Sequence, residues 1–154
     1  MNAPSTSAPL TTDEAQIRDL LAERQAAMLA KDPQPIVAGY APGIVVFDLA
    51  PPLRHTGPKV HDPSGLRAWF DGFDGPVDLR IRDLSVTVGG DVAFAHSLNR
   101  MSAVPHGVPQ GFELWYRATV CLRRIDGRWL IAHEHSSTPF YMDGTFRAAL
   151  DLQP

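Results

Sequence analysis

The pattern of apolar and polar positions changes once along the chain, from helical spacing near its start to strand-like runs over its second half. Ile17, Leu20, Leu21, Met28 and Leu29 recur at helical spacing, with Arg18, Glu23, Arg24 and Lys31 between them, until Asp32-Pro33 stops the pattern. Thr11 followed by Glu14 forms a capping box, so the spacing predicts an amphipathic helix of about five turns beginning there. Pro35 to Tyr40 fits one short helix, Ala41-Pro42-Gly43 a turn, and Ile44 to Leu49 a β-branched first strand interrupted by Asp48. Ala50 to Pro63 holds too many prolines and glycines for regular structure and reads as a long loop. From Ser64, the residues Leu66, Trp69, Phe70 and Phe73 are spaced for one face of a short third helix ended by Gly75-Pro76. Four strand-like runs follow, Val77 to Val88, Val92 to Val104, Phe112 to Ile125 and Arg128 to Ser137, separated by turn signals. Helices first and a long antiparallel meander afterwards predict an α+β fold.

Composition narrows this picture. Residues 1–11 are rich in Ser, Thr, Pro and Ala and read as a flexible N-terminal tail, leaving 12–154 as a single domain. A formal charge of −3, with no basic run longer than Arg123-Arg124, gives no electrostatic footprint for nucleic acid or anionic lipid. No stretch has the length and apolarity of a membrane span, and the first residues lack the plan of a signal peptide. Cys121 is the single cysteine and lies between Val120 and Leu122, which fits a strand residue in the reducing cytoplasm.

The candidate chemistry sits on the strands. Strict alternation on the last strand puts Trp129, Ile131, His133, His135 and Ser137 on one face and Leu130, Ala132, Glu134 and Ser136 on the other, so the histidines are expected to face something enclosed. A His-x-His pair has metal-ligand chemistry, but no third ligand is visible beside it, and no metal is assigned. The same pair also reads as structural, donating to backbone or carboxylate partners across a hairpin or dimer interface. Asp48 follows Val45-Val46-Phe47, where apolar surroundings make a carboxylate a better proton acceptor; equally, it ends the strand and bonds the turn beyond it. Arg117 shares a strand face with Trp115 and Thr119 and needs a partner, with Asp48, Glu134 or a second subunit as the options. Trp69 and Phe73 fit either core or a pocket wall.

Trp115-Tyr116-Arg117-Ala118-Thr119, Arg123-Arg124-Ile125-Asp126-Gly127-Arg128-Trp129 and His133-Glu134-His135-Ser136-Ser137-Thr138-Pro139 together resemble the closing hairpin of the SnoaL-like members of the nuclear-transport-factor-like superfamily. Val45-Val46-Phe47-Asp48 and Thr56-Gly57 resemble that family's first strand and the glycine after it. The resemblance implies a cone-shaped fold, with a long N-terminal helix and two short ones on a strongly curved, mostly antiparallel sheet. It implies a homodimer as well. The family includes polyketide cyclases, ketosteroid isomerase, scytalone dehydratase and non-catalytic kinase association domains, so fold alone does not decide function. Asp48 resembles the carboxylate base of the isomerase, a worked example of pKa tuning. The isomerase's first-helix tyrosine has no counterpart here, where the stretch reads Glu23-Arg24-Gln25, and its proton-donating aspartate is replaced around Thr119 to Cys121. Arg117 resembles the strand arginines that bind carboxylates in the association domains.

The resulting expectation is cofactor-independent acid/base chemistry, such as isomerisation, dehydration or aldol-type cyclisation, on a partly apolar carbonyl compound. Asp48 abstracts a proton, His133 or His135 returns it or polarises the carbonyl, and Arg117 stabilises negative charge. Trp69, Phe73, Trp115 and Thr119 bind the substrate. The alternative is a non-catalytic ligand-binding or association module with an anion-binding pocket.

Overall fold

The computed structural model describes residues 11–154, so the expected tail, 1–11, lies outside the described residues except for Thr11. Helix α1 runs Thr12–Ala30 and is capped by Thr11, whose Oγ1 accepts from the Glu14 amide at 3.1 Å, while the Glu14 carboxylate pairs with Arg18 and does not complete the box. It buries Ile17, Leu21 and Ala27. Helix α2, Pro33–Ala38, is capped by Asp32, and helix α3, Pro63–Phe70, by Asp62. Both place proline in the first turn, where its missing N–H costs nothing. The long loop before α3 contains one 3-10 turn, Pro58–His61, and folds back so that His55 bridges Val46. Among the described residues, no helix is long and apolar enough to cross a membrane.

Five strands make one sheet in the order β1-β5-β4-β3-β2: β1 Tyr40–Phe47, β2 Phe73–Gly89, β3 Val92–Pro105, β4 Phe112–Ile125 and β5 Arg128–Ser137. Strands β2 to β5 are the expected antiparallel meander, and β1 adds a parallel pair at the β5 edge. The β4–β5 turn takes positive φ at Asp126 (50°) and Gly127 (78°), the backbone of a two-residue hairpin whose twist matches its strands.

Several limits differ from expectation: α2 is Pro33–Ala38 where Pro35 to Tyr40 was expected, β1 ends at Phe47 and leaves Asp48 and Leu49 outside it, and Gly75-Pro76 lies within β2. Strand β1 starts at Tyr40, absorbing Ala41-Pro42-Gly43 as an irregularity in its pairing with β5 instead of a separate turn. Helix α3 ends at Phe70, so Phe73 opens β2; its ring still meets Trp69, with centroids 4.9 Å apart.

The helices cover the inner face of the sheet. One core cluster joins Ile17 and Leu21 to Ile44, Leu122, Trp129 and Ile131; a second joins Ala27 and Ile36 to Phe70, Val77 and Ala103. Several inward sheet positions are small, namely Ala95, Ser97, Ala118 and Ser136. Bulky core residues on either side hold the helices and sheet apart, and small side chains at these positions leave the space between them unfilled.

Candidate functional site

That space is a cavity of about 700 Å³, within the range that suits a drug-sized ligand. Its walls are apolar, with Leu21 and Met28 from α1, Ile36 from α2, Leu66 and Trp69 from α3, and Leu79, Ile81 and Val120 from the sheet. The exposed residues Asp48, Leu49, Pro51, Arg54 and Lys59 mark its mouth.

The inner end is polar. Arg24 reaches it from α1, Tyr40 from the start of β1, Asn99 from β3, Tyr116 from β4 and Glu134 from β5. Arg24 Nη2 donates to Glu134 Oε1 at 2.8 Å and to the Tyr40 hydroxyl at 3.1 Å, and the guanidinium carbon stands 5.5 Å from the Tyr40 ring centroid. Glu134 Oε2 is also 2.8 Å from that nitrogen, so both carboxylate oxygens contact the guanidinium, and Oε2 is covered by protein. Side-chain exposure is 17% for Arg24 and 16% for Glu134, so the pair is largely shielded from water.

These surroundings set the charge states. Burial opposes the Arg24 charge, but Glu134 and the Tyr40 oxygen more than offset it and hold the proton more firmly than usual. Burial pushes the Tyr40 phenol up to about 12, against the pull of Arg24 and with Glu134 adding to the rise. Tyr116 is raised as well, first by burial, while neighbouring Asn99 works the other way. Ser97 donates to Asn99 Oδ1 at 2.7 Å, which turns the Asn99 amide nitrogen toward other partners. Both phenols are therefore neutral at pH 7. Tyr40 accepts a hydrogen bond from Arg24, which leaves its own O–H to point elsewhere.

The expected site residues fall on both sides of the sheet. Asp48 lines the cavity, but it is exposed, and its Oδ1 accepts from the Leu49 amide at 2.7 Å, as a strand-ending aspartate does. Trp69 lines the cavity too, whereas Phe73 packs with Phe112 in the second core cluster.

His133 and His135 share a face, but it is the outer one, and Trp129 and Ile131 do not share it with them. The register explains this. Leu122 pairs with Ile131 and Cys121 with His133, so Ala132 is an extra, unpaired residue, a β-bulge that inverts the alternation beyond it. Upstream, Trp129 and Ile131 are buried; downstream, Glu134 and Ser136 turn to the cavity and the histidines turn away.

On that outer face the His133 and His135 rings flank Phe47 at 4.8 and 5.4 Å. His133 Nδ1 lies 2.7 Å from the Val45 carbonyl, so it carries the proton and donates it there. Thr119 pairs across strands with His135 and His96 on the same face. Arg117 and Trp115 border a small outer cleft with Leu98 and Pro139. Arg117 thus meets neither Asp48 nor Glu134, and Glu134 is paired with Arg24 instead. Asp48 and the two histidines do not face a common cavity. Among the described residues, no group of three or more His, Cys, Asp or Glu side chains is placed to hold a metal ion.

Arg24, Tyr40, Asn99, Tyr116 and Glu134 were not singled out by sequence. One signal existed for Arg24: it continues the seam Ile17, Leu21, Met28 at three- and four-residue steps, and a charge in an apolar seam requires a buried partner. Glu134 was hidden by the bulge.

Comparison with known proteins agrees with this architecture. The family model for the SnoaL-like domain matches residues 17–141. An NTF2-like protein of unknown function from Pseudomonas putida KT2440 is 34% identical over 96% of this chain and 100% of its own, with a TM-score of 0.81. A protein from Novosphingobium aromaticivorans, provisionally named a scytalone dehydratase, is 15% identical over 88% of this chain and 90% of its own, TM-score 0.73. A protein from Xanthomonas campestris, provisionally named a calcium/calmodulin dependent protein kinase II association domain, is 18% identical over 89% of this chain and 96% of its own, TM-score 0.69. No curated protein matches. The chain belongs to the SnoaL-like domain family and has the NTF2-like fold.

Proposed function

We propose that the cavity binds a small, partly apolar carbonyl compound and catalyses acid/base chemistry on it, an isomerisation, dehydration or aldol-type cyclisation that uses no organic cofactor. The observation that carries this reading is the Arg24–Glu134 ion pair, largely shielded from water, at the polar end of an apolar cavity that also holds two neutral phenols. Glu134 accepts the substrate proton, and Tyr40 and Tyr116 donate to the oxygen on which negative charge develops. Asp48, at the mouth, contacts the outer part of the ligand. The relative provisionally named a scytalone dehydratase supports dehydration within this class. The lone Cys121 supports a reducing, cytoplasmic setting.

The test is a panel of β-hydroxy ketones and β,γ-unsaturated ketones, followed by the ultraviolet absorbance of the conjugated enone. Wild type turns over at least one of them, and Glu134→Gln lowers kcat by about 100-fold or more. Turnover that survives Glu134→Gln defeats the assignment of the base.

The alternative, a ligand-binding or association module, is supported by the relative named as an association domain. Because Arg117 borders the outer cleft, an anion held by Arg117 would sit there and not in the cavity. For self-association the outer sheet face is the surface we favour, since it exposes Phe47, Phe94 and His135 together.

A further inference from the structure

Arg24 carries more hydrogen-bond donors than its protein partners use. A guanidinium has N–H groups on all three of its nitrogens. Those of Nη2 go to Glu134 Oε1 and the Tyr40 hydroxyl. Among the described residues, Nε and Nη1 meet no acceptor, and neither is sealed by protein as Glu134 Oε2 is. Donor hydrogens are therefore left over on a side chain that lines the cavity together with Leu21 and Met28 of the same helix.

Acceptors at this end are scarcer. Glu134 has both oxygens against the guanidinium, and Asn99 Oδ1 already takes the Ser97 hydroxyl. A ligand group that brings its own hydrogens, an alcohol or an amine, finds few lone pairs to receive them. A carbonyl oxygen has only lone pairs to offer and meets donors. Charge narrows the choice again. Glu134 already balances Arg24, so a ligand carboxylate would set a second negative charge beside it where water screens neither.

We propose that Arg24 meets the ligand directly: its spare N–H groups donate to an uncharged carbonyl oxygen and select a ketone over the corresponding alcohol or carboxylic acid. The inference rests on the reading of the cavity as a site for carbonyl compounds. It adds the residue that recognises the carbonyl and the exclusion of acids. In the reaction the same charged donor faces the oxygen, alongside the phenols, as negative charge develops there.

The experiment measures binding by equilibrium dialysis for probes of one shape. These are 2-acetylnaphthalene, 2-isopropenylnaphthalene, in which a methylene group replaces the carbonyl oxygen, 1-(2-naphthyl)ethanol and 2-naphthoate. Wild type is expected to favour the ketone over the alkene by about tenfold, the scale of one hydrogen bond to a charged group. The alcohol is expected to fall below the ketone, and naphthoate to bind no better than the alkene. Glu134→Gln removes the counter-charge and is expected to keep the ketone preference while gaining naphthoate binding severalfold. Arg24→Met/Glu134→Gln leaves no unpaired buried charge; it is expected to lose both the preference and the gain, yet hold the alkene as wild type does. Tyr40→Phe keeps the ion pair and is expected to retain most of the preference. The proposal is overturned if wild type shows no ketone preference or binds naphthoate more tightly than the ketone. It is overturned equally if the folded double variant keeps the preference, if folded Glu134→Gln gains no naphthoate binding, or if Tyr40→Phe alone abolishes the preference. Wild type and Tyr40→Phe decide the matter should either charge variant fold poorly. Ketone preference without turnover of any carbonyl compound defeats the catalytic reading alone. Turnover by a wild type that shows no ketone preference defeats selection by Arg24 alone.

Discussion

Arg24 and Glu134 are bound to each other in energy as well as in space. Two largely shielded charges cost desolvation when they fold in, and the cost is recovered only while both are present. Arg24→Met should therefore destabilise the fold by about 3 kcal/mol, read from the urea midpoint, and Arg24→Met/Glu134→Gln should recover most of the loss. An additive double variant would contradict the pairing. The tyrosines give a second test. All three phenols are raised, Tyr40 and Tyr116 chiefly by burial and Tyr141 through its hydrogen bond to Asp151. For Tyr40 the folded value, about 12, exceeds the unfolded value near 10, so its contribution is complete below pH 10 and is lost as pH rises toward 12. Tyrosinate absorbance is expected to stay low at pH 10, and Tyr40→Phe to make stability fall less steeply above it. Residue types alone pointed to the histidines and Asp48, because imidazole and carboxylate are recognisable chemistry wherever they stand. Whether such a group is enclosed is a property of register and neighbours, and that information is spread over distant parts of the chain.

At the level of elements, the start of α1, the order of the strands and the last turn were legible because their causes are local, and the caps of α2 and α3 are local too. Thr11 caps α1 through its own hydroxyl, Asp32 and Asp62 do the same for α2 and α3, and Asp126-Gly127 turns the last hairpin. Gly127 should be sensitive for that reason. At φ 78°, Gly127→Ala is expected to cost about 1 kcal/mol, measured as a lowered urea midpoint with the fold unchanged by circular dichroism. The Ala132 bulge was not legible, since no residue type demands a bulge there and a strand read alone has no partner to slip against. Its effect on the site exceeds that of any single side chain: the segment beyond it presents Glu134 to the cavity and the histidines to the other side. Deleting Ala132 should abolish turnover of the carbonyl panel in any variant that still folds.

For the whole molecule, the meander followed from strand order and turn signals, and the family resemblance supplied the cone. The outer sheet face gives a prediction at this scale. If copies associate through it, Phe94→Glu, at an exposed position on β3, is expected to shift sedimentation toward the monomer and leave turnover of the carbonyl panel intact. Unchanged sedimentation of a wild-type dimer would move the interface elsewhere. The parallel pairing of β1 with β5, which joins Tyr40 to Ile131 and Val46 to Glu134, has a consequence for the order of events during synthesis. Strand β1 is made early, with Ile44, Val45, Val46 and Phe47 in a row, yet its neighbour in the sheet is the last strand to be translated. Through most of elongation the nascent chain carries an apolar strand with no partner, a state open to aggregation. Glu134 arrives on that same last strand, so the cavity acquires its carboxylate in the step that first shelters β1.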